Sequence, residues 1–254
     1  LDRRTGLERL DARRHYPDLD EVDRVRVAFR VPALAGFGFT TLKPAPAAPV
    51  SAGDVAEVQG RSLVNRFVVV TVDRTGALML YDRRTGGRWL DLLRLESSGD
   101  AGDAYTFSPP ARDRVVRSEG PIRVRRRAAG PLIASLEARW SIRAGRRGRV
   151  DVSLTIMLQA DSPAVRCILD IETLASDHRL RARVPTGCTG AAVAGTQFGQ
   201  ELRAPSALTA DPQALEAPVA TAPAHRFVAL SEGARGLALL APGFFEYEQT
   251  ESGD

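Results

Sequence analysis

Asn65-Arg66-Phe67-Val68-Val69-Val70-Thr71-Val72, then Asp73-Arg74-Thr75-Gly76, then Ala77-Leu78-Met79-Leu80-Tyr81 is the stretch whose reading decides the fold class. Valines and threonine crowd the first run, and branching at Cβ favours extended, pleated backbone. The break reads as a hairpin turn. Asp73 and Thr75 have short side chains that bond nearby backbone, and Gly76 supplies a positive φ at the return. A second turn, Asp82-Arg83-Arg84-Thr85-Gly86, leads into Arg88-Trp89-Leu90. The same five residues stand at Asp2-Arg3-Arg4-Thr5-Gly6, but their flanks do not continue as a repeat. One turn chemistry is used twice.

Further strands are expected at 22–31, 122–127, 132–142, 150–158, 165–171, 179–184, 226–230 and 236–240. Gly, Pro, Asp and Ser punctuate them in the manner of an all-β sandwich. No stretch has convincing helical periodicity, although 6–14 could form a short helical turn. Residues 44–52, with Pro44, Pro46 and Pro49 among alanines, read as an extended linker. The expected organisation is a small β segment over 1–43, the linker, and a large twisted antiparallel β-sandwich over 53–254. Residues 190–223, rich in Ala, Pro and Thr, read as a long surface excursion.

The chain has 254 residues, 44% hydrophobic and 6% aromatic, which suits a globular protein with a true core rather than a disordered one. No apolar run approaches the roughly 18 residues that span a bilayer, and no signal peptide opens the chain, so no membrane partner is expected. The first residue is Leu1 rather than Met, which reads as a chain whose beginning has been removed. The net charge is +4, and Lys43 is the single lysine among 35 basic residues, a skew that fits a GC-rich codon supply. Arg125-Arg126-Arg127 and Arg146-Arg147 could suggest a nucleic-acid surface. However, Ile122-Arg123-Val124-Arg125 alternates like a half-exposed strand, and Gly145-Arg146-Arg147-Gly148 reads as a hairpin tip. No nucleic-acid partner is expected. Cys167 and Cys188 have neither disulfide-framework nor zinc spacing. Cys167, inside Val165-Arg166-Cys167-Ile168-Leu169, reads as a buried free thiol, which points to a reducing, cytoplasmic compartment.

Four ordered segments carry a resemblance to a known family. They are Val31-Pro32-Ala33-Leu34 followed by Gly36-Phe37, and Asn65-Arg66-Phe67 with the hairpins through Gly86. They continue with Asp100-Ala101-Gly102-Asp103-Ala104-Tyr105, and with Asp177-His178-Arg179-Leu180-Arg181 before Pro185-Thr186-Gly187. Ala224-His225-Arg226-Phe227-Val228 and Gly243-Phe244-Phe245-Glu246-Tyr247 are weaker echoes. Together they resemble the C-terminal half of the α-mannosidases of glycoside hydrolase family 38. The sequence departs in two places: Ala35 is inserted before the glycine, and Thr173-Leu174 stand where the family often has asparagine.

The resemblance implies a galactose-mutarotase-like supersandwich from a retaining, zinc-dependent glycosidase acting on α-mannosides. It implies that zinc and the nucleophilic aspartate belong to an N-terminal catalytic domain, followed by a helical domain, and that both are partners of this fragment. No cofactor is expected within these residues, and the fragment by itself is expected to be catalytically silent.

The candidate substrate-binding residues are Asp103, Tyr105, His178 and Arg179. The Asp100–Tyr105 segment has three readings. It could be a metal loop, though one Asp-x-Gly-Asp lacks the ligand count that calcium or zinc requires. It could be a structural loop whose carboxylates accept backbone N–H bonds. The resemblance adds a third, in which Tyr105 reaches toward the sugar. His178 could do acid–base work, or serve as a hydrogen-bonded anchor. Arg179 and Arg181 share one strand face and could simply pair with carboxylates there. Both segments are expected at one side of the sandwich. Two rival functions remain: a stand-alone carbohydrate-binding module, needing Trp89, Trp140 and Tyr105 as an aromatic platform, and a mutarotase-like epimerase, needing a histidine beside a carboxylate.

Overall fold

The computed structural model describes residues 2–5, 21–24, 28–31, 33–43, 55–103, 107–144, 148–205 and 220–254. The chain divides into two compact units, Leu1–Pro49 and Val50–Asp254. In the first, strands β1 (Asp2–Thr5) and β2 (Glu21–Arg24) pair antiparallel. The possible helical turn at 6–14, the linker at 44–52 and the hairpin tip at 145–147 lie outside the described residues.

Every strand pairing described in the second unit is antiparallel, and its valine-rich runs suit extended backbone. Strands β3 (Glu57–Gln59), β4 (Ser62–Val64), β5 (Val68–Val72), β6 (Leu78–Asp82) and β7 (Arg88–Leu92) follow one another as a five-stranded meander. The turn between β5 and β6 has the expected chemistry. Asp73 Oδ1 accepts from Thr75 N at 2.7 Å, Thr75 Oγ1 at 2.7 Å and Ala77 N at 3.1 Å, and Gly76 has a φ of 90°. In the next turn Asp82 Oδ1 accepts Arg84 N at 2.8 Å, and the Arg84 guanidinium grips both carboxylate oxygens.

Strands β8 (Arg94–Gly99) and β9 (Val116–Arg117) come next, followed by β10 (Arg123–Ala129), β11 (Ile133–Ala144), β12 (Gly148–Gln159) and β13 (Val165–Thr173), which pair in chain order. Then come β14 (His178–Arg183), β15 (Ala192–Gly195), β16 (Gln200–Arg203), β17 (Thr221–Pro223), β18 (Phe227–Glu232), β19 (Arg235–Leu240) and β20 (Glu246–Glu248). They make three smaller sheets in the orders β14-β8-β9, β16-β15-β18-β19 and β17-β20. No helix occurs among the described residues, so none there is long and apolar enough to cross a membrane.

Two cores hold this unit. The main one gathers alternate side chains such as Leu63, Val70, Leu136, Leu154 and Ile156, with Trp89 and Trp140 buried among them. The second is small, built of Cys188, Ala192, Ala194, Ala224, Val228 and Leu230, with Phe244 and Tyr247 against it. It corrects the reading of 190–223 as a surface excursion for the residues up to 205; residues 206–219 lie outside the described ones. Ala192 and Ala194 are fully buried, and β15 and β16 form a hairpin with register Val193↔Leu202. Alanines there are small residues fitting a thin core, not loop filler. Strand β8 also escaped the sequence reading, because Glu96, Ser97 and Ser98 look like loop residues yet are buried.

Candidate functional site

Pairing of β8 with β14 sets Gly99 opposite His178, and Asp100 N–H donates to the Asp177 carbonyl at 3.0 Å. The loop after β8 and the start of β14 therefore share one end of the three-stranded sheet. Asp177 enters β14 with a φ of 55°, a left-handed conformation that aspartate tolerates better than most residues. Asp100 Oδ1 accepts Gly102 N at 2.9 Å and Ser108 N at 3.0 Å, and Ala101 N–H donates to the Ser108 carbonyl at 2.7 Å. Asp100 thus closes the base of the loop, in keeping with the structural reading, while Asp103 stands exposed beyond it. Tyr105 lies outside the described residues. Among the described residues, no group of three His, Cys, Asp or Glu side chains could hold a metal ion. The described residues do not fit the zinc that the resemblance places in another domain.

His178 has a hydroxyl at each ring nitrogen. Ser97 Oγ lies 3.2 Å from Nδ1 and Thr173 Oγ1 lies 3.2 Å from Nε2. Each hydroxyl can donate or accept, so both ring nitrogens are satisfied whichever carries the proton. The ring ties β14 to β8 and β13, and Thr173 makes a polar contact where the family often has asparagine. No ion pair among the described residues includes a histidine, so the His–carboxylate pair needed by the epimerase reading is absent there. Trp89 and Trp140 are only 5% and 6% exposed, so neither can serve the aromatic platform of a binding module.

Arg179, Arg181 and Arg183 alternate along β14 and therefore share a face. Arg179 Nη2 binds Glu246 Oε1 at 2.9 Å, and its guanidinium lies 4.4 Å from the centre of the Phe107 ring. Arg181 bridges Glu96 Oε1 at 3.0 Å and Glu248 Oε2 at 2.5 Å. Arg183 pairs with Asp254, whose carboxylate pushes the guanidinium pKa further above its ordinary value. This ladder lines a cavity of about 450 Å³, together with Val228, Leu230, Leu237 and Leu239 from β18 and β19. Gln249 also lines it. Its Nε2 donates to the Gly190 carbonyl at 2.6 Å, and its buried Oε1 has no partner. The cavity went unnoticed in the sequence, although its signal is visible afterwards: Arg-x-Arg-x-Arg at 179–183 answers Glu-x-Glu at 246–248.

Comparisons with known proteins bear on this architecture. The family model described as "Glycosyl hydrolases family 38 C-terminal domain" matches residues 63–252. No curated protein matches the chain. A solved α-mannosidase from Enterococcus faecalis V583 is similar with a TM-score of 0.71 at 20% identity, over 78% of this chain and 25% of its own. A protein in glycosyl hydrolase family 38 from Enterococcus faecalis gives a TM-score of 0.69 at 20% identity, over 78% and 26%. The chain thus spans about a quarter of the length of these structures, and likeness at such identity speaks for the fold alone. The matched residues take in the second core, the buried residues of the main core apart from Ala56, and every strand from β5 to β20, and the chain belongs to the glycosyl hydrolase family 38 C-terminal domain family.

Proposed function

We propose that this chain is the non-catalytic C-terminal sandwich of a retaining, zinc-dependent α-mannosidase. It supports the catalytic and helical domains and extends the Asp100–Tyr105 loop to the rim of the sugar site. The observation that carries the supporting role is an uncovered apolar sheet face. Register puts Leu202, Val193, Ala229 and Ala238 on one line across β16-β15-β18-β19, with Phe227 and Leu240 beside it. Leu202 is 73% and Leu240 75% exposed. An apolar face of this kind marks an interaction surface more often than a solvated one.

Retaining hydrolysis uses two carboxyl groups about 5–5.5 Å apart, and bound zinc supplies Lewis acidity and a hold on sugar hydroxyls. The reading assigns these to the rest of the enzyme. Its own part is positional. Asp100 shapes the loop base, and Tyr105 presents a hydroxyl to the mannoside from a segment stiffened by Pro109-Pro110. The free thiols of Cys167 and Cys188 support a cytoplasmic setting.

The test is direct. The isolated chain should hydrolyse no aryl α-mannoside, with or without added zinc. In the intact enzyme, Tyr105→Phe should weaken sugar binding by about 0.5–1.5 kcal/mol, one hydrogen bond, at unchanged melting temperature. Turnover that follows this chain through purification and vanishes in Asp103→Asn would overturn the reading.

A further inference from the structure

We propose that the cavity between the arginine ladder of β14 and the sheet of β18 and β19 is a binding site for a neutral, ring-shaped polyol of the pyranoside class. Its size, about 450 Å³, falls within the usual range for small-molecule sites. Its walls are of two kinds. Val228, Leu230, Leu237 and Leu239 offer an apolar surface that suits the C–H face of a sugar ring. The ladder offers guanidinium donors and carboxylate acceptors side by side, which matches neighbouring hydroxyls that both donate and accept.

The charge balance selects against an anion. Arg179, Arg181 and Arg183 are each already bound to a carboxylate, and the lining includes four carboxylates: Glu96, Glu246, Glu248 and Asp254. A phosphate or sulfate would meet no unpaired cation in this wall.

A wholly apolar occupant is selected against by the ladder, whose charged groups would lose their remaining solvent contact without a replacement partner. The site belongs to this chain alone, so its failure and that of the mannosidase reading are independent.

The test is an NMR titration of the purified 254-residue chain with methyl α-mannopyranoside, methyl β-glucopyranoside, myo-inositol and, as an anion, inorganic phosphate. At least one polyol should bind saturably in the millimolar range, shifting resonances of residues 228–239 and 246–249, while phosphate should not. Glu246→Leu should weaken that binding about fivefold, the loss of one hydrogen bond. Leu239→Trp, which fills the cavity, should abolish it. The inference is overturned if no polyol saturates by about 50 mM, a bound set for millimolar affinity. Phosphate binding more tightly than every polyol would also overturn it, as would polyol affinity unchanged in a Glu246→Leu chain that keeps its folded spectrum.

Discussion

At the scale of single residues, the motif positions are mostly structural fasteners. Asn65 is 3% exposed, and its side chain makes four hydrogen bonds. Its Nδ2 donates to the carbonyls of Gln159 and Ser162 at 2.7 and 2.8 Å, and its Oδ1 accepts Phe67 N and Val68 N, both at 2.8 Å. The side chain therefore ties the start of β5 to the end of β12. Asn65→Ala should lower unfolding stability by about 3 kcal/mol, since buried backbone groups lose partners at both ends. Chemical denaturation measures it. The arginine ladder separates by burial in the same way. Glu246 is 56% exposed as a side chain, so Arg179→Met should cost under about 1 kcal/mol. Glu96 is only 8% exposed, so Arg181→Met should cost about 2–4 kcal/mol by leaving that carboxylate short of a partner. Equal losses would show that burial of Glu96 does not govern the ladder.

At the scale of elements, the β10-β11-β12-β13 sheet has a pH-dependent centre. Glu137, on β11, is 4% exposed as a side chain and touches Arg125, with Arg139 at 3.1 Å. The Arg125 hydrogen bond, and then that of Arg139, hold its pKa below the ordinary 4.5 against the opposing effect of burial. A depressed folded pKa means that the unfolded chain takes up the proton first. The contribution is then whole above the ordinary value and disappears as pH falls through the folded one. Wild type should lose stability as pH falls below about 5, and Glu137→Gln should flatten part of that slope. Asp82, also held low by Arg84, and Asp151, held low by Ser141 and Arg149, keep their own share of the slope. Guanidinium melts at several pH values test this, and an unchanged slope in the variant would rule it out. The β5–β6 turn shows the opposite case, an element readable without tertiary context. Gly76 must be glycine for its φ of 90°, and a Cβ there would also lie 2.9 Å from the Trp140 ring.

At the scale of the whole molecule, the uncovered face of β16-β15-β18-β19 gives the docking proposal its own test. Leu202→Lys with Leu240→Lys should leave the melting temperature of the isolated chain within a few degrees, because surface changes away from contacts rarely matter to folding. In the intact enzyme the same pair should loosen the domain, read as faster proteolytic release. Resistance equal to wild type would remove the proposed role of this face.

Runs such as Val68–Val72, the paired Asp-Arg turns and the alternating stretches of β11 and β12 determined the all-β class from sequence alone, because strand period and turn chemistry are local properties. The ordered motifs from Asn65 to Tyr247 likewise pointed to the family. Burial of Glu96, Ser97 and Ser98 in β8 was not legible, since a polar strand becomes interior only through the strands packed over it. The roles of His178 and Arg179 also waited on the fold. Whether a side chain faces a sugar or clasps Ser97, Thr173 and Glu246 depends on partners up to 81 residues away. Such distant partners meet only when β8, β14 and β20 converge, and that convergence is a property of the packed sheets rather than of any local run of residues.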